Sequence, residues 1–111
     1  MTPEPTAIAL TICDQVIVDE RTKKPSIIGM FTGLGVEQFP SDPQRFSVCA
    51  SLTGGVGDGR IELSVSQAST GETIYQQAGT IHFPDRTDMV NVFFRIRKLR
   101  FPAPGFYLFR L

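Results

Sequence analysis

Histidine occurs once in these 111 residues, at His82, and cysteine twice, at Cys13 and Cys49. One imidazole excludes a histidine pair or a His-rich metal centre within the chain. Two cysteines far apart in sequence are too few for a disulfide scaffold and lack the C-x-x-C spacing of zinc and redox sites. They are expected as free, reduced, packed side chains, and Asp14 beside Cys13 disfavours a thiolate there. Net charge is lacking as well, because eleven basic residues offset eleven acidic ones. No overall field therefore draws nucleic acid or a membrane surface to the protein. No apolar run reaches the roughly 20 residues of a membrane helix. The start, "MTPEPT", has neither the basic opening nor the apolar stretch of a secretory signal, so the expectation is a cytoplasmic protein. A 41% hydrophobic content supplies one core and not two.

Helical periodicity is also missing: no stretch repeats apolar residues at i, i+3, i+4 and i+7, whereas alternation of period two recurs along the chain. In "RFSVCASLTG" the residues Phe46, Val48, Ala50 and Leu52 fall on one face, with Ser47, Cys49, Ser51 and Thr53 on the other. "RIELSVSQ" repeats this with Ile61, Leu63 and Val65 inward. "MVNVFFRIRK" does so with Val90, Val92, Phe94 and Ile96 inward, leaving Asn91, Phe93, Arg95 and Arg97 outside. One apolar face per strand predicts half-solvated antiparallel sheets.

The connections carry turn chemistry. "ERTKKP" joins a first strand, about Ala7 to Asp19, to a second, about Ile27 to Thr32. "GGVGDG" reads as a hairpin between the Phe46 and Ile61 strands, "STGE" leads into the Ile74 strand, and "PDRTD" leads out of it. "LGVEQFPSDPQR", with two prolines, reads as an arch crossing between sheets. Two places break the alternation. In "ALTICDQVIVD", placing Ile12 and Val16 inward turns Asp14 inward too, which requires a bulge near Cys13 or a hydrogen-bonded Asp14. "IYQQAGTIHF" is expected to change phase near Gly79. The fold expected is all-β: a single antiparallel β-sandwich of about seven strands, immunoglobulin-like or C2-like, over residues 7–111 behind a flexible tail of residues 1–6.

Catalytic chemistry is hard to assemble from these residues. His82 has no nucleophile-elbow motif to serve, and an ordinary strand-end histidine is the simpler reading. "GGVGDG" lacks the Lys-Ser/Thr and following helix of a phosphate loop. Asp42, Asp58, Asp85 and Asp88 form no dense calcium loop of the EF-hand kind. No enzyme, metal or cofactor is expected. The last stretch differs in kind, since no acidic residue follows Asp88 while Arg95, Arg97, Lys98, Arg100 and Arg110 all do. Phe93, Arg95 and Arg97 interleave an aromatic with cations as single-stranded nucleic-acid platforms do, but without an RNP-like motif nucleic acid is the weaker reading.

The segments "ICDQVIVDERTKKPSIIGMF", "FPSDPQRFSVCASLTGGVGDGRIELSV", "TGE" and "FPAPGFYLFRL" together resemble a family of small uncharacterised bacterial proteins of β-sandwich type. The likeness rests on Cys13-Asp14, Gly29 to Phe31, Phe39-Pro40, Gly57 to Gly59, and Gly105 with Tyr107, and it implies a fold but no catalytic or binding residues. Similar sequences continue past the Gly-x-Tyr strand into another strand, so the resemblance implies a C-terminal strand that is missing here. Gly105-Phe106-Tyr107 is locally similar to the tyrosine corner of immunoglobulin-like sandwiches.

A missing neighbour would leave unpaired N–H and C=O groups at an edge. Phe101, Phe106, Tyr107, Phe109 and Leu111 crowd that edge with apolar surface, although several of these rings could equally complete the core. The function expected is a non-catalytic interaction or assembly module, associating with a protein partner or a second copy by edge-strand pairing. The alternative is a calcium- or carbohydrate-binding sandwich using the end loops "SDPQ", "GGVGDG" and "PDRTD".

Overall fold

The computed structural model describes residues 5–85 and 87–111. It contains seven strands: β1 (Thr6–Val18), β2 (Pro25–Met30), β3 (Gln44–Thr53), β4 (Gly57–Gln67), β5 (Thr73–Phe83), β6 (Val90–Leu99) and β7 (Tyr107–Arg110). They form a four-stranded sheet in the order β2-β1-β3-β6 and a three-stranded sheet in the order β5-β4-β7, with every pairing antiparallel. The all-β sandwich is thus the fold, and no helix of the described residues is long and apolar enough to cross a membrane. Thr6, placed in the expected tail, already pairs with Thr53, and residues 1–4 of that tail lie outside the described residues.

The core lies between the sheets, where the alternation puts it. Phe46, Val48, Ala50 and Leu52 of β3, Ile61, Leu63 and Val65 of β4, and Phe94 and Ile96 of β6 are all buried in one cluster. A second, small cluster of Cys13, Val16 and Cys49, with Phe93 packed against it, lies on the outer face of the four-stranded sheet. Cys13 and Val16 are three residues apart, so β1 does change phase between them. Asp14 is nonetheless exposed. The distortion lies across from it at Gly29, which has φ of 71°, and any Cβ there would come within 2.2 Å of an Asp14 carboxylate oxygen.

Three readings of the connections need correction. "GGVGDG" makes no hairpin, because β3 and β4 belong to different sheets and the loop carries the chain across the sandwich. Gly54 and Gly57 take positive φ, and Gly55 lies beneath the Phe83 ring, 2.5 Å from where a Cβ would sit. "LGVEQFPSDPQR" does not cross between sheets, since it passes β1 and returns to the sheet it left, on the far side of that strand. Its end is pinned by buried Ser41, whose N–H donates to the Phe101 carbonyl and whose hydroxyl accepts from the Phe101 N–H. No phase change occurs at Gly79: Tyr75, Gln77, Gly79, Ile81 and Phe83 alternate unbroken on the inner face, and the register slips only at Val65/Ser66. Inward Gly79 leaves room that Ile61 and Phe94 fill.

The sheets are unequal, and only one flank closes. There β5 packs against β6. On the other flank β1 and β2 extend past the three-stranded sheet, and beyond Cys13 β1 pairs with β2 alone. This arm helps make the molecule 46 Å long with a radius of gyration of 15.3 Å, against about 13 Å for a compact chain of this size.

Candidate interaction surface

The C-terminal segment crosses from β6 to β7 through a turn that its own side chains hold. Gly105 has φ of 134°, which few other residues adopt, and this lets the chain fold back so that the Tyr107 hydroxyl donates to the carbonyl of Ala103. The Ala103 N–H points to the same oxygen at 3.4 Å. A tyrosine at the start of a strand, bonded to backbone a few residues upstream, is the arrangement of a tyrosine corner. The turn is also tied to β4 by the bond from the Ala68 N–H to the Phe106 carbonyl.

The five C-terminal residues singled out in the sequence divide between interior and surface. Phe101 is buried, its ring 4.8 Å from that of Tyr107 and 6.5 Å from that of Phe46. Phe109 points inward, 6.0 Å from Phe46, and Phe31 meets Phe46 from the other side at 5.8 Å. Phe46 is thus the hub of an aromatic cluster in edge and stacked geometries, each such pair contributing on the order of 1 kcal/mol beyond its burial. Phe106 is 85% exposed and Leu111 40%, and neither is in the core. The rings line a cavity of about 260 Å³ at this end of the sandwich, with Ile12 on its wall and Leu34, Phe39 and Phe106 at its mouth.

Strand β7 pairs on one side only, with β4, from Gln67↔Tyr107 to Ser64↔Arg110. Its other edge has no partner among the described residues. The exposed apolar side chains Leu34, Phe39 and Phe106 line the same cavity as Tyr107 and Phe109 of β7. The exposed large apolar side chains other than Val56 and Met89 lie on β1, β2, the loop after β2, or the segment from Phe106 onward. The β1–β2 arm contributes Ile17, Val18, Ile27, Ile28 and Met30, residues the sequence reading passed over. Their signal was present: "VIV" and "SIIGM" are apolar runs without the polar alternation of a strand that has one solvated face.

The remaining candidates do not assemble a site. His82 and Asp58 face each other across β4 and β5 with Nδ1 2.6 Å from Oδ1, but both are exposed, and among the described residues no nucleophile bonds to either. Such a pair contributes little to stability. The loops "SDPQ" and "GGVGDG" sit at opposite ends of β3, so Asp42 lies away from Asp58. "PDRTD" joins "GGVGDG" at one end, where the Thr53 hydroxyl donates to the Asp88 carbonyl, and Arg86 within it lies outside the described residues. Among the described residues no three His, Cys, Asp or Glu side chains gather as metal ligands. Cys13 and Cys49 are free and buried. Burial first, and then neighbouring charge from Asp14 for Cys13 and from Cys13 for Cys49, pushes both thiols above their ordinary pKa, the opposite of an activated nucleophile.

The family described as a family of unknown function, DUF6941, matches residues 8–111, and the chain belongs to it. No curated protein and no solved structure matches the chain.

Proposed function

We propose that this DUF6941 member is a non-catalytic assembly module that pairs with a second copy of itself through the free edge of β7. The observation that carries the reading is a β7 edge without a partner among the described residues, with exposed Leu34, Phe39 and Phe106 lining the same cavity as its Tyr107 and Phe109. An edge strand with apolar neighbours is a template for another strand. Leaving β2 aside, the orders β1-β3-β6 and β5-β4-β7 correspond to strands A-B-E and C′-C-F of an immunoglobulin sandwich, whose F strand begins at the tyrosine corner. In that fold a further strand, G, pairs with the edge that β7 leaves free.

A second β7 fits the edge in one register better than in others. Antiparallel pairing centred on Leu108 sets Tyr107 against Phe109 of the second copy on the inner face and Leu108 against Leu108 on the outer. Arg110 then falls opposite Phe106, where a guanidinium over a ring is favourable. A shift by two residues toward the C-terminus would set the two Arg110 side chains against each other. The favoured register joins two three-stranded sheets into one of six.

Light scattering across a dilution series tests this. The chain should run as a dimer that dissociates on dilution, and Leu108→Lys, at an exposed position, should give a folded monomer. Fusing an alternating Thr-Val strand after Leu111 through an Asn-Gly turn should also give a monomer, by occupying the edge in cis. A monomer at every concentration, or a dimer indifferent to Leu108→Lys, overturns the reading.

A further inference from the structure

The outer face of the four-stranded sheet carries a second concavity, unrelated to the β7 edge. It opens where β1 and β3 stop pairing. Their ladder ends at Cys13↔Ser47, after which β1 turns to β2 alone while β3 continues back toward Gln44 beside β6. The resulting groove, of about 560 Å³, is lined by Arg45 and Ser47 of β3, Arg95 and Arg97 of β6, and Asp14 and Gln15 of β1. All three arginines are exposed. Among the described residues the only ion pairs are Arg60–Glu62 and His82–Asp58, so none of the three guanidiniums has a carboxylate within 4.0 Å. Asp14 shares the groove without reaching them.

Ser47 is the independent pointer to a ligand. It is only 5% exposed, directly opposite Arg95 in the ladder, and its hydroxyl makes no hydrogen bond among the described residues. Since the described residues leave no fully buried side-chain polar atom unsatisfied, that hydroxyl is reached from the groove floor. A nearly buried hydroxyl beneath unpaired guanidiniums is a set of donors without an acceptor. Arg95 and Arg97 are two residues apart on one strand face, so their Cα atoms stand about 7 Å apart, and Ser47 lies about 5 Å across from Arg95. That spacing brackets one tetrahedral oxyanion.

We propose that this groove binds a phosphate group, free or as a phosphomonoester. Arg45, Arg95 and Arg97 supply charge and forked N–H donors, and Ser47 donates to the inward oxygen. Arginine suits this role because its planar fork matches two oxygens at once. A carboxylate would be satisfied by one such fork, whereas three forks and a hydroxyl match the four oxygens and double charge of phosphate. Asp14 is the one anionic side chain in the groove, and it opposes binding.

The test is a titration of the intact chain with inorganic phosphate and, separately, phenyl phosphate at constant ionic strength, followed by backbone amide NMR. Saturable shifts at Ser47, Arg95 and Arg97 with Kd of about 1 mM or tighter are expected. Arg95→Gln, an exposed change that leaves the core alone, should weaken binding about tenfold or more, and Asp14→Asn should strengthen it. Phenyl phosphate binding more tightly than inorganic phosphate would identify a phosphomonoester as the ligand, and the reverse the free anion. Shifts that chloride reproduces, or an affinity unchanged by Arg95→Gln, would overturn the proposal. So would a single-stranded oligonucleotide that binds where neither phosphate does.

Discussion

On the flank where β5 lies against β6, inward side chains meet others and vanish from the surface: Phe94 is 1% exposed, Ile96 2% and Phe83 3%. On the opposite flank, where β7 ends one sheet and β1 and β2 end the other, residues of the same apolar character stay in water, with Phe106 at 85% and Met30 at 72%. Composition does not separate the flanks. What separates them is a count of strands, three against four among the described residues, so that within these residues one side of the sandwich has a facing strand and the other does not. Stability therefore belongs to the first flank, and the association proposed above to the second.

The largest effect that could break this contrast is at the two phenylalanines. Phe94→Ala should cost about 3–5 kcal/mol in chemical denaturation, because it removes a buried ring and leaves a cavity above Gly79. Phe106→Ala should change the stability of the monomer by less than about 0.5 kcal/mol. Comparable losses at both positions would mean that the open flank is packed in solution by something the single chain does not supply.

Two glycines sharpen the same point at a smaller scale. At Gly55 a methyl group would press within 2.5 Å of the Phe83 ring on the closed flank, and Gly55→Ala should destabilise by about 1–3 kcal/mol through overpacking. At Gly79 the nearest atoms to a new Cβ are at 3.6 Å and 3.7 Å, ordinary contact distances, and φ is not in the left-handed region. Gly79→Ala should be neutral or stabilise by up to about 1 kcal/mol, since alanine restricts the unfolded chain. Thermal midpoints of the two variants should then move in opposite directions.

These glycines also mark where sequence reading ran out. Alternation located the faces of β3, β4 and β6, because burial on one side leaves a period-two signature that each strand carries by itself. Which strand lies beside which is a non-local fact. "GGVGDG" has the composition of a tight turn whether the next strand pairs with the last or crosses to the other sheet, so the hairpin and the crossover are indistinguishable there. The same holds for the arch before Ser41, whose anchor is Phe101, sixty residues away. At the C-terminus the sequence revealed that aromatics gather, but not that Phe46 would draw Phe101 and Phe109 inward while Phe106 stayed outside. Arg45 drew no notice because Arg95 and Arg97 become its neighbours only through the β3–β6 ladder.

Tyr107 tests whether the corner or the ring holds the open flank together. Its hydroxyl bonds Ala103 while its ring packs on Phe101. Tyr107→Phe keeps the ring and should cost about 1 kcal/mol, the worth of one part-buried hydrogen bond, with the Ala103–Phe106 turn exchanging its amides faster. A loss above about 2 kcal/mol would make the corner, rather than aromatic packing, the anchor of β7.

The smallest effect concerns the arm, whose outer turn has little apolar packing to support it. Asp19 accepts from the N–H groups of Thr22 and Arg21, each at 2.8 Å, and those bonds hold its pKa below the usual carboxylate value. A depressed carboxylate contributes stability that is present above its unfolded pKa and lost as pH falls through the folded one. The arm should therefore hold at neutral pH and loosen only below about pH 4. Amide exchange at Arg21 and Thr22 should rise in that acid window while Val48 and Leu63, buried between the sheets, stay protected. Asp19→Ala should give the same fast exchange at neutral pH without shifting the global transition by a measurable amount. Were acid instead to open the core amides together with the turn, the arm and the closed flank would be one cooperative unit, and the division of the molecule into a stable side and an available side would fail.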